Sequence, residues 1–146
     1  MFDYSNLSEV LADPMPYRFV DSVKVSENRA YGSKNSSNQD WYFQFSRTMP
    51  NGFILEAIMQ TGVPIVTQME HINDSLMMFN SCKEMKVYGE VKPGDTIETK
   101  VLLNSFRNGV ANYSGVAFLN KNIICTADFA LIHPSELQKF SQSMKR

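Results

Sequence analysis

A single carboxylate, Glu56, lies near the start of a strongly apolar stretch that a turn signal introduces. Pro50, Asn51 and Gly52 form that turn, and the stretch after them reaches Gln60 and continues beyond it. A carboxylate in apolar surroundings is costly to keep ionised, and carboxylates of this kind are common in active sites. Glu56 is therefore the first candidate for a catalytic residue.

The stretch around Glu56 has the spacing of a helix that begins near Gly52 or Phe53. Phe53 and Ala57 widen its apolar stripe, which is typical of a helix wrapped by a sheet. Pro64 removes a backbone hydrogen bond at a cost of up to about 3 kcal/mol, so we expect a kink or a break there. The residues that follow the helical spacing are Ile54, Ile58, Thr61, Ile65 and Met69.

The remainder of the chain predicts β-strands joined by tight turns. Residues 19–25 alternate as a strand with Val23 and Val25 on one face, and a turn at 27–29 leads into a second strand from Ala30. The polar residues 33–38 are expected to be an exposed strand end or loop. In the C-terminal half, strands are predicted at 84–91, 97–101, 113–119 and 123–132, with turns at 92–95, 108–109 and 120–122.

Several shorter segments complete the predicted organisation. The aromatic run 41–45 is expected to pack against the helix, and a short helix is predicted over 7–11. A loop is predicted at 73–75 and a polar tail at 135–145. Because neither an internal repeat nor a linker is recognisable, residues 1–146 are predicted to form one α+β domain.

Composition excludes several classes of function. The chain is 43% hydrophobic and 20% charged, with a net charge of -1, so nothing favours a nucleic-acid surface. No apolar run approaches the ~20 residues of a membrane span, and the N-terminus lacks the pattern of a signal peptide. Cys82 and Cys125 have no paired spacing and are expected to be buried reduced thiols. We therefore expect a cytoplasmic protein without nucleic-acid or membrane partners.

The segment Met49 to Gln60 resembles the start of the central helix in hot-dog fold dehydratases that act on 3-hydroxyacyl-acyl carrier protein, the FabZ/FabA type. Those enzymes carry Pro-Gly followed by Leu-x-x-Glu-Ala-x-x-Gln, and Glu56, Ala57 and Gln60 match this pattern. The resemblance implies a hot-dog fold, with an antiparallel sheet around one long central helix. Three further segments resemble the family in the same order, namely Pro16 to Val23, Trp41 to Phe43, and Lys92 to Asp95.

The resemblance also implies a mechanism with two groups. An imidazole takes the proton alpha to the thioester carbonyl, and a carboxylic acid assists departure of the 3-hydroxyl as water. Helix N-terminal N–H groups polarise the thioester oxygen. Glu56 matches the acid, Asn51 and Gly52 match the oxyanion site, and Gln60 matches a further motif position. Asn51 stands where the family has glycine.

The family's histidine is absent from its motif position. An ungapped count back from Glu56 places Tyr42 there, whereas an alignment on the aromatic run places Ser46 there. The two histidines of the chain, His71 and His133, fit neither alignment. A general base contributes about 10²- to 10⁴-fold to a rate, and a phenol with a pKa of about 10 is a poor replacement at neutral pH.

Three functions remain open. Family active sites lie at a dimer interface, so this chain is expected to pair with itself or with a histidine-bearing hot-dog protein that completes a dehydratase for fatty-acid-like or polyketide synthesis. A hot-dog thioesterase would instead use Glu56 to activate water. A non-catalytic subunit would bind the acyl carrier protein. No bound cofactor is expected beyond the carrier's phosphopantetheine arm, and no metal site is expected.

Each candidate residue also has a structural interpretation. Glu56 would stabilise the helix dipole by about 0.3–1 kcal/mol, and Tyr42 would be a core or interface aromatic. Gln60 would lie on a polar helix face. Residues 76–79 line an acyl pocket or belong to the core. The basic residues that contact a carrier protein or merely face solvent are Lys83, Lys86, Lys92 and Arg107.

Overall fold

The computed structural model describes residues 2–4, 17–69 and 77–133, and within them one antiparallel sheet holds one long helix. The strand order is β1-β2-β3-β5-β6-β7-β4. This architecture confirms the predicted α+β class. The elements are β1 (Phe2–Tyr4), β2 (Ser22–Ser26), β3 (Arg29–Asn35), a 3₁₀ helix (Trp41–Gln44), α1 (Asn51–Met69), β4 (Met78–Val87), β5 (Thr96–Arg107), β6 (Val110–Leu119) and β7 (Asn122–Ile132).

The helix α1 begins within two residues of its predicted start and runs through Pro64 without a break. The predicted break is therefore wrong, whereas a kink at Pro64 stays a prediction. All residues from 57 to 66 are buried, so this part of the helix is enclosed on every side. Burial of each large apolar side chain contributes about 1.5–3 kcal/mol. Several such side chains together outweigh the loss of about 3 kcal/mol at a single proline.

The C-terminal hairpins follow the predicted turns. Asn108 and Gly109 have φ values of 53° and 77°, which is the conformation of a two-residue turn that matches strand twist. The β6–β7 turn is similar, with φ values of 50° at Asn120 and 69° at Lys121. Gly94, with a φ of 94°, occupies the left-handed position of the 92–95 turn. These turn predictions are confirmed. Such turns could be predicted because the two to four residues within a turn determine its conformation.

Two strand predictions need correction. β4 begins at Met78, six residues before its predicted start. Among the described strands it lies at the edge of the sheet and pairs with β7, with two register shifts. Its exposed residues therefore lack the alternation that marks a half-buried strand. Residues 33–35 are the end of β3, as one of the two alternatives for 33–38 predicted, but Lys34 and Ser36 are buried rather than exposed. The Ser36 hydroxyl lies 2.6 Å from the carbonyl oxygen of Asp95, which satisfies its polar group.

The helix approaches β5 and β6 closely. A Cβ on Gly62 would lie 3.0–3.2 Å from the Tyr113 ring and from Val101, so the absence of a side chain there allows the contact. Tyr113 in turn stacks on Phe129, with ring centroids 5.0 Å apart. This packing holds α1 against the inner face of the sheet. Glu56 lies near the N-terminal end of α1.

Some predictions concern residues outside the described ranges. They are the short helix at 7–11, the loop at 73–75, His71 and the tail at 135–145.

Of the helices in the described ranges, none combines the length and apolar character needed to cross a bilayer.

The two cysteines differ in their surroundings, which predicts different reactivity. Cys125 is buried, and burial raises the pKa of its thiol to about 11, whereas Cys82 is half-buried on β4. The thiolate is the nucleophile, and at pH 8 roughly one thousandth of the Cys125 thiol is ionised and therefore reactive. We expect iodoacetamide to modify Cys82 at least about tenfold faster than Cys125, measured by peptide mass spectrometry. The difference should vanish in denaturant, and equal rates in the native protein would contradict the assignment.

Candidate active site

The N-terminus of α1 presents backbone donors to an open space. The Pro50 carbonyl accepts hydrogen bonds from the N–H groups of Phe53, at 2.9 Å, and Ile54, at 3.3 Å. The preceding residues Asn51 and Gly52 are exposed, and a Cβ on Gly52 would meet nothing within 4 Å. The first N–H groups of a helix have no partner within it and carry its positive end. This helix start can therefore stabilise a negative oxygen.

An aromatic cavity lies beside these donors, and we call it the outer cavity. Its volume is about 340 Å³. The Phe53 ring stacks on Phe19, with centroids 4.6 Å apart, and lies 5.4 Å from the Trp41 ring. The packing of the aromatic run against the helix is thereby confirmed for Trp41. The residues that line the outer cavity are Tyr17, Phe19, Trp41, Gly52, Phe53 and Glu56.

A second cavity of about 180 Å³, the inner cavity, continues from Glu56 along the helix. Its helical residues recur at intervals of three or four, so they share one face of α1. Glu56 is the residue that the two linings share, and we call its position the junction of the two cavities. The lining residues are Glu56, Met59, Gln60, Val63, Met77, Phe79 and Leu131.

The position of Glu56 disfavours a purely structural role at the helix start. Glu56 is the sixth residue of α1, and the first turn contains no acidic residue. The dipole interaction falls off within the first turn, so it contributes little here. Glu56 is half-buried, and its Oε1 lies 3.5 Å from Nε2 of Gln60. Glu56 therefore lies where two cavities share a lining residue, and its catalytic role stays a prediction.

Gln60 connects the helix to one wall of the outer cavity. It is 1% exposed, its Oε1 accepts the N–H of Phe19 at 2.8 Å, and its Nε2 donates to the Tyr17 carbonyl at 2.9 Å. These two bonds hold the Tyr17–Phe19 segment against α1. Gln60 also lines the inner cavity, and its predicted role in substrate binding stays a prediction.

The Gln60 amide can be tested by its replacement with methionine, which has a similar shape. Gln60→Met leaves the buried N–H of Phe19 without its acceptor, which costs about 1–3 kcal/mol. We expect the free energy of unfolding in urea to fall by this amount. Gln68→Met, at a half-buried position of the same helix, should change it by less than about 0.5 kcal/mol. Equal effects of the two substitutions would contradict a special role for Gln60.

The two candidates for the histidine position, Tyr42 and Ser46, line neither cavity. The Tyr42 hydroxyl donates to Oδ2 of Asp40 at 3.2 Å. Burial, followed by the charge of Asp40, raises the pKa of Tyr42 above its ordinary value, so the phenol stays protonated at neutral pH. The Ser46 hydroxyl accepts the N–H of Thr48 at 3.4 Å. Catalytic roles for either residue remain predictions, and this geometry does not favour them.

His133 is the histidine within the described residues, and it lies after β7. Its backbone N–H donates to the Gly109 carbonyl at 2.8 Å, which places it beside the β5–β6 hairpin. It lines neither the outer nor the inner cavity. Within residues 17–69 and 77–133, no imidazole therefore accompanies Glu56 in either cavity.

Sequence reasoning identified part of the cavity lining. Residues 76–79 were expected in a pocket or in the core, and Met77 and Phe79 do line the inner cavity, whereas Met78 is exposed. The signal for them was the run of methionines, because a methionine side chain adapts to ligands of variable shape. Leu131 and Phe19 were missed, because each reaches the cavities from an element distant in sequence.

The comparison with known families identifies the fold family. The family model of the FabA-like domain matches residues 12–128. The chain belongs to this family. The 3-hydroxyacyl-[acyl-carrier-protein] dehydratase FabZ of Bacillus velezensis is 30% identical over 139 residues, which cover 90% of this chain and 99% of that protein. FabZ of Latilactobacillus sakei is 28% identical, with coverage of 90% and 99%.

A solved structure agrees with this FabA-like assignment. A chain of the dehydratase heterocomplex ApeI:P from Xenorhabdus doucetiae superposes with a TM-score of 0.77 at 14% identity. The match covers 92% of this chain and 95% of that chain. The predicted hot-dog fold and the predicted membership in the dehydratase family are both confirmed. The FabA-like chain is a dehydratase-like protein of a hydro-lyase family.

Proposed function

We propose that this chain is the histidine-lacking subunit of a heterodimeric 3-hydroxyacyl-acyl carrier protein dehydratase. The observation that carries the proposal is Glu56 at the junction of two cavities beside the donors of α1, without an imidazole in the described lining of either cavity. The FabZ relatives are named as dehydratases of this substrate class. A partner subunit supplies the histidine.

The reaction is the elimination of water across two adjacent carbons. The partner's imidazole takes the proton alpha to the thioester, and the electrons of that C–H bond move toward the carbonyl oxygen. Backbone N–H groups at Asn51 and Gly52 stabilise the negative charge there. Protonated Glu56 then gives its proton to the 3-hydroxyl as the C–O bond breaks, so that water leaves and the double bond forms.

The edge strand β4 supports assembly with a partner. It is ten residues long, it pairs on one side among the described strands, and Met78 and Phe79 on it are 41% and 56% exposed. A long exposed edge with apolar side chains is a template for pairing with another chain. Phe79 also lines the inner cavity, so a partner bound at β4 brings its own residues to the site.

The substrate class follows from the same site. The acyl group is carried on the phosphopantetheine arm of an acyl carrier protein, in fatty-acid-like or polyketide synthesis in the cytoplasm. The arm is part of the substrate, and the mechanism uses no separate cofactor or metal. The thioester binds at the helix start, and the acyl chain extends into the inner cavity, past Glu56.

The decisive experiment is a mass-spectrometric assay of 3-hydroxyacyl-carrier protein. The chain is tested alone, with a histidine-bearing hot-dog protein of the same organism, and with that protein lacking its motif histidine. We expect loss of water in the complete pair to be at least about 10²-fold faster than with either protein alone. Equal turnover by the isolated chain would overturn the heterodimer.

A thioesterase is the second candidate, because a carboxylate that activates water against a thioester needs no histidine, and Glu56 would be that carboxylate. The same assay distinguishes the two functions by their products. Free 3-hydroxy acid released by this chain alone would establish the thioesterase. Acyl binding without turnover in any mixture would establish a non-catalytic subunit that binds the carrier.

A further inference from the structure

A buried lysine pairs with the residue that precedes the 3₁₀ helix, and neither the motif nor the mechanism uses it. Lys34 occupies the inward-facing register of β3 that it shares with Ala30 and Gly32, and its side chain is 8% exposed. Its Nζ lies 3.3 Å from Oδ1 of Asp40 and 3.7 Å from Oδ1 of Asp21. A buried ammonium is costly unless it is paired, so these two carboxylates hold it in place.

Asp40 is the connection between this lysine and the 3₁₀ helix. Its Oδ2 accepts the backbone N–H of Ser37 at 3.0 Å and the hydroxyl of Tyr42 at 3.2 Å. Its carbonyl accepts the N–H of Phe43 at 3.1 Å. Asp40 therefore fixes the start of the 3₁₀ helix from both its side chain and its backbone.

The first residue of this 3₁₀ helix, Trp41, forms part of the outer cavity wall. Its ring lies 5.4 Å from the Phe53 ring and 5.8 Å from the Tyr42 ring. The position of the indole therefore depends on the orientation of the 3₁₀ helix, and that orientation depends on Asp40. A chain of direct contacts leads from Lys34 through Asp40 to the wall beside Glu56 and Gly52.

We propose that Lys34 is a positioning residue for the candidate active site, which holds Asp40 so that Trp41 forms the wall of the outer cavity. The inference rests on the proposed function only for the identity of the ligand, an acyl thioester. Without the ammonium, the carboxylates of Asp21 and Asp40 repel each other and lose their common partner. Asp40 then moves toward solvent, and the 3₁₀ helix with Trp41 loosens.

Trp41 makes this inference measurable without an activity assay, because it is the sole tryptophan of the chain. Its fluorescence and its quenching by acrylamide report directly on the cavity wall. The test compares Lys34→Met, which keeps the aliphatic stem and deletes the charge, with Lys34→Arg, which restores the charge. Lys100→Met is the matched control, because Lys100 is exposed on the neighbouring strand β5.

We expect Lys34→Met to raise the quenching constant of Trp41 at least about twofold in protein that circular dichroism shows to be folded. Lys34→Arg should stay close to wild type, and Lys100→Met should be unchanged. Binding of the soluble probe 3-hydroxyoctanoyl-N-acetylcysteamine should weaken at least about fivefold in Lys34→Met. In the active pair, KM should rise more than kcat falls.

Unchanged quenching and probe binding in folded Lys34→Met would overturn the inference. If Lys34→Met does not fold, Asp40→Asn decides the question, since it weakens the same ion pair with little change in shape, and unchanged Trp41 quenching there would likewise overturn it. Absence of dehydration in every wild-type mixture would refute the proposed function alone. The quenching difference would still establish the positioning of Trp41.

Discussion

Glu56→Gln is expected to slow the loss of water in the complete pair by at least about 10²-fold. The amide preserves the size and the hydrogen-bonding shape of the side chain, but it has no acidic proton to give to the departing hydroxyl. General acid catalysis typically contributes about 10²- to 10⁴-fold, which sets this range. The rate is measured by mass spectrometry in single turnovers of 3-hydroxyacyl-carrier protein, so that product release does not mask the chemical step.

Glu98→Gln is the matched control for this substitution, because Glu98 is an exposed carboxylate on β5. It should leave the rate within about twofold of wild type. The midpoint of urea unfolding should also be similar in both variants, which separates a chemical loss from a folding defect. A Glu56→Gln pair that retains the wild-type rate would show that Glu56 is not the acid.

Phe79→Glu is expected to weaken assembly with the histidine-bearing partner at least about 100-fold. Phe79 is 56% exposed on the edge strand β4, where the partner is proposed to pair. A carboxylate buried in that interface without a cation costs several kcal/mol, and each 1.4 kcal/mol is tenfold in affinity. The dissociation constant is measured by mass photometry or by analytical ultracentrifugation of the mixed proteins.

Tyr31→Glu provides the comparison, since it introduces the same charge at an exposed aromatic position on β3. Three strands, β5, β6 and β7, lie between β3 and the β4 edge. Its affinity for the partner should stay within about twofold of wild type. Assembly is the required measurement because Phe79 also lines the inner cavity, where its replacement affects turnover directly. Full affinity of Phe79→Glu would place the partner elsewhere.

Local rules account for the parts of the fold that were predicted well. Asn108 and Gly109 specify their turn because both tolerate positive φ. The alternation from Ile97 to Val101 specifies which face of β5 is buried, since a strand has a period of two. The apolar stripe after Gly52 predicted α1 and placed Glu56 near its start. In each case the determining residues are adjacent in sequence or one turn apart.

Predictions failed where a residue's environment comes from distant segments. The helix continues through Pro64 because strands from both halves of the chain bury its surroundings. Polar Lys34 is buried because Asp21 and Asp40 approach it in the folded chain. β4 starts early because β7 pairs with it, although its own residues show no strand pattern. None of these partners can be identified from the residues next to the one in question.

The sequence by itself determined the α+β class, the helix that carries Glu56, the turns of the C-terminal hairpins and the absence of a histidine at the motif position. Tertiary structure alone decided that Glu56 lines two cavities, that Gln60 is hydrogen-bonded to the Tyr17–Phe19 segment, and that the Tyr42 hydroxyl is hydrogen-bonded to Asp40. The physical reason is the distance along the sequence between the residues that determine each feature. Backbone conformation and strand or helix period depend on neighbouring residues, whereas cavities and buried ion pairs form only when separate elements pack together.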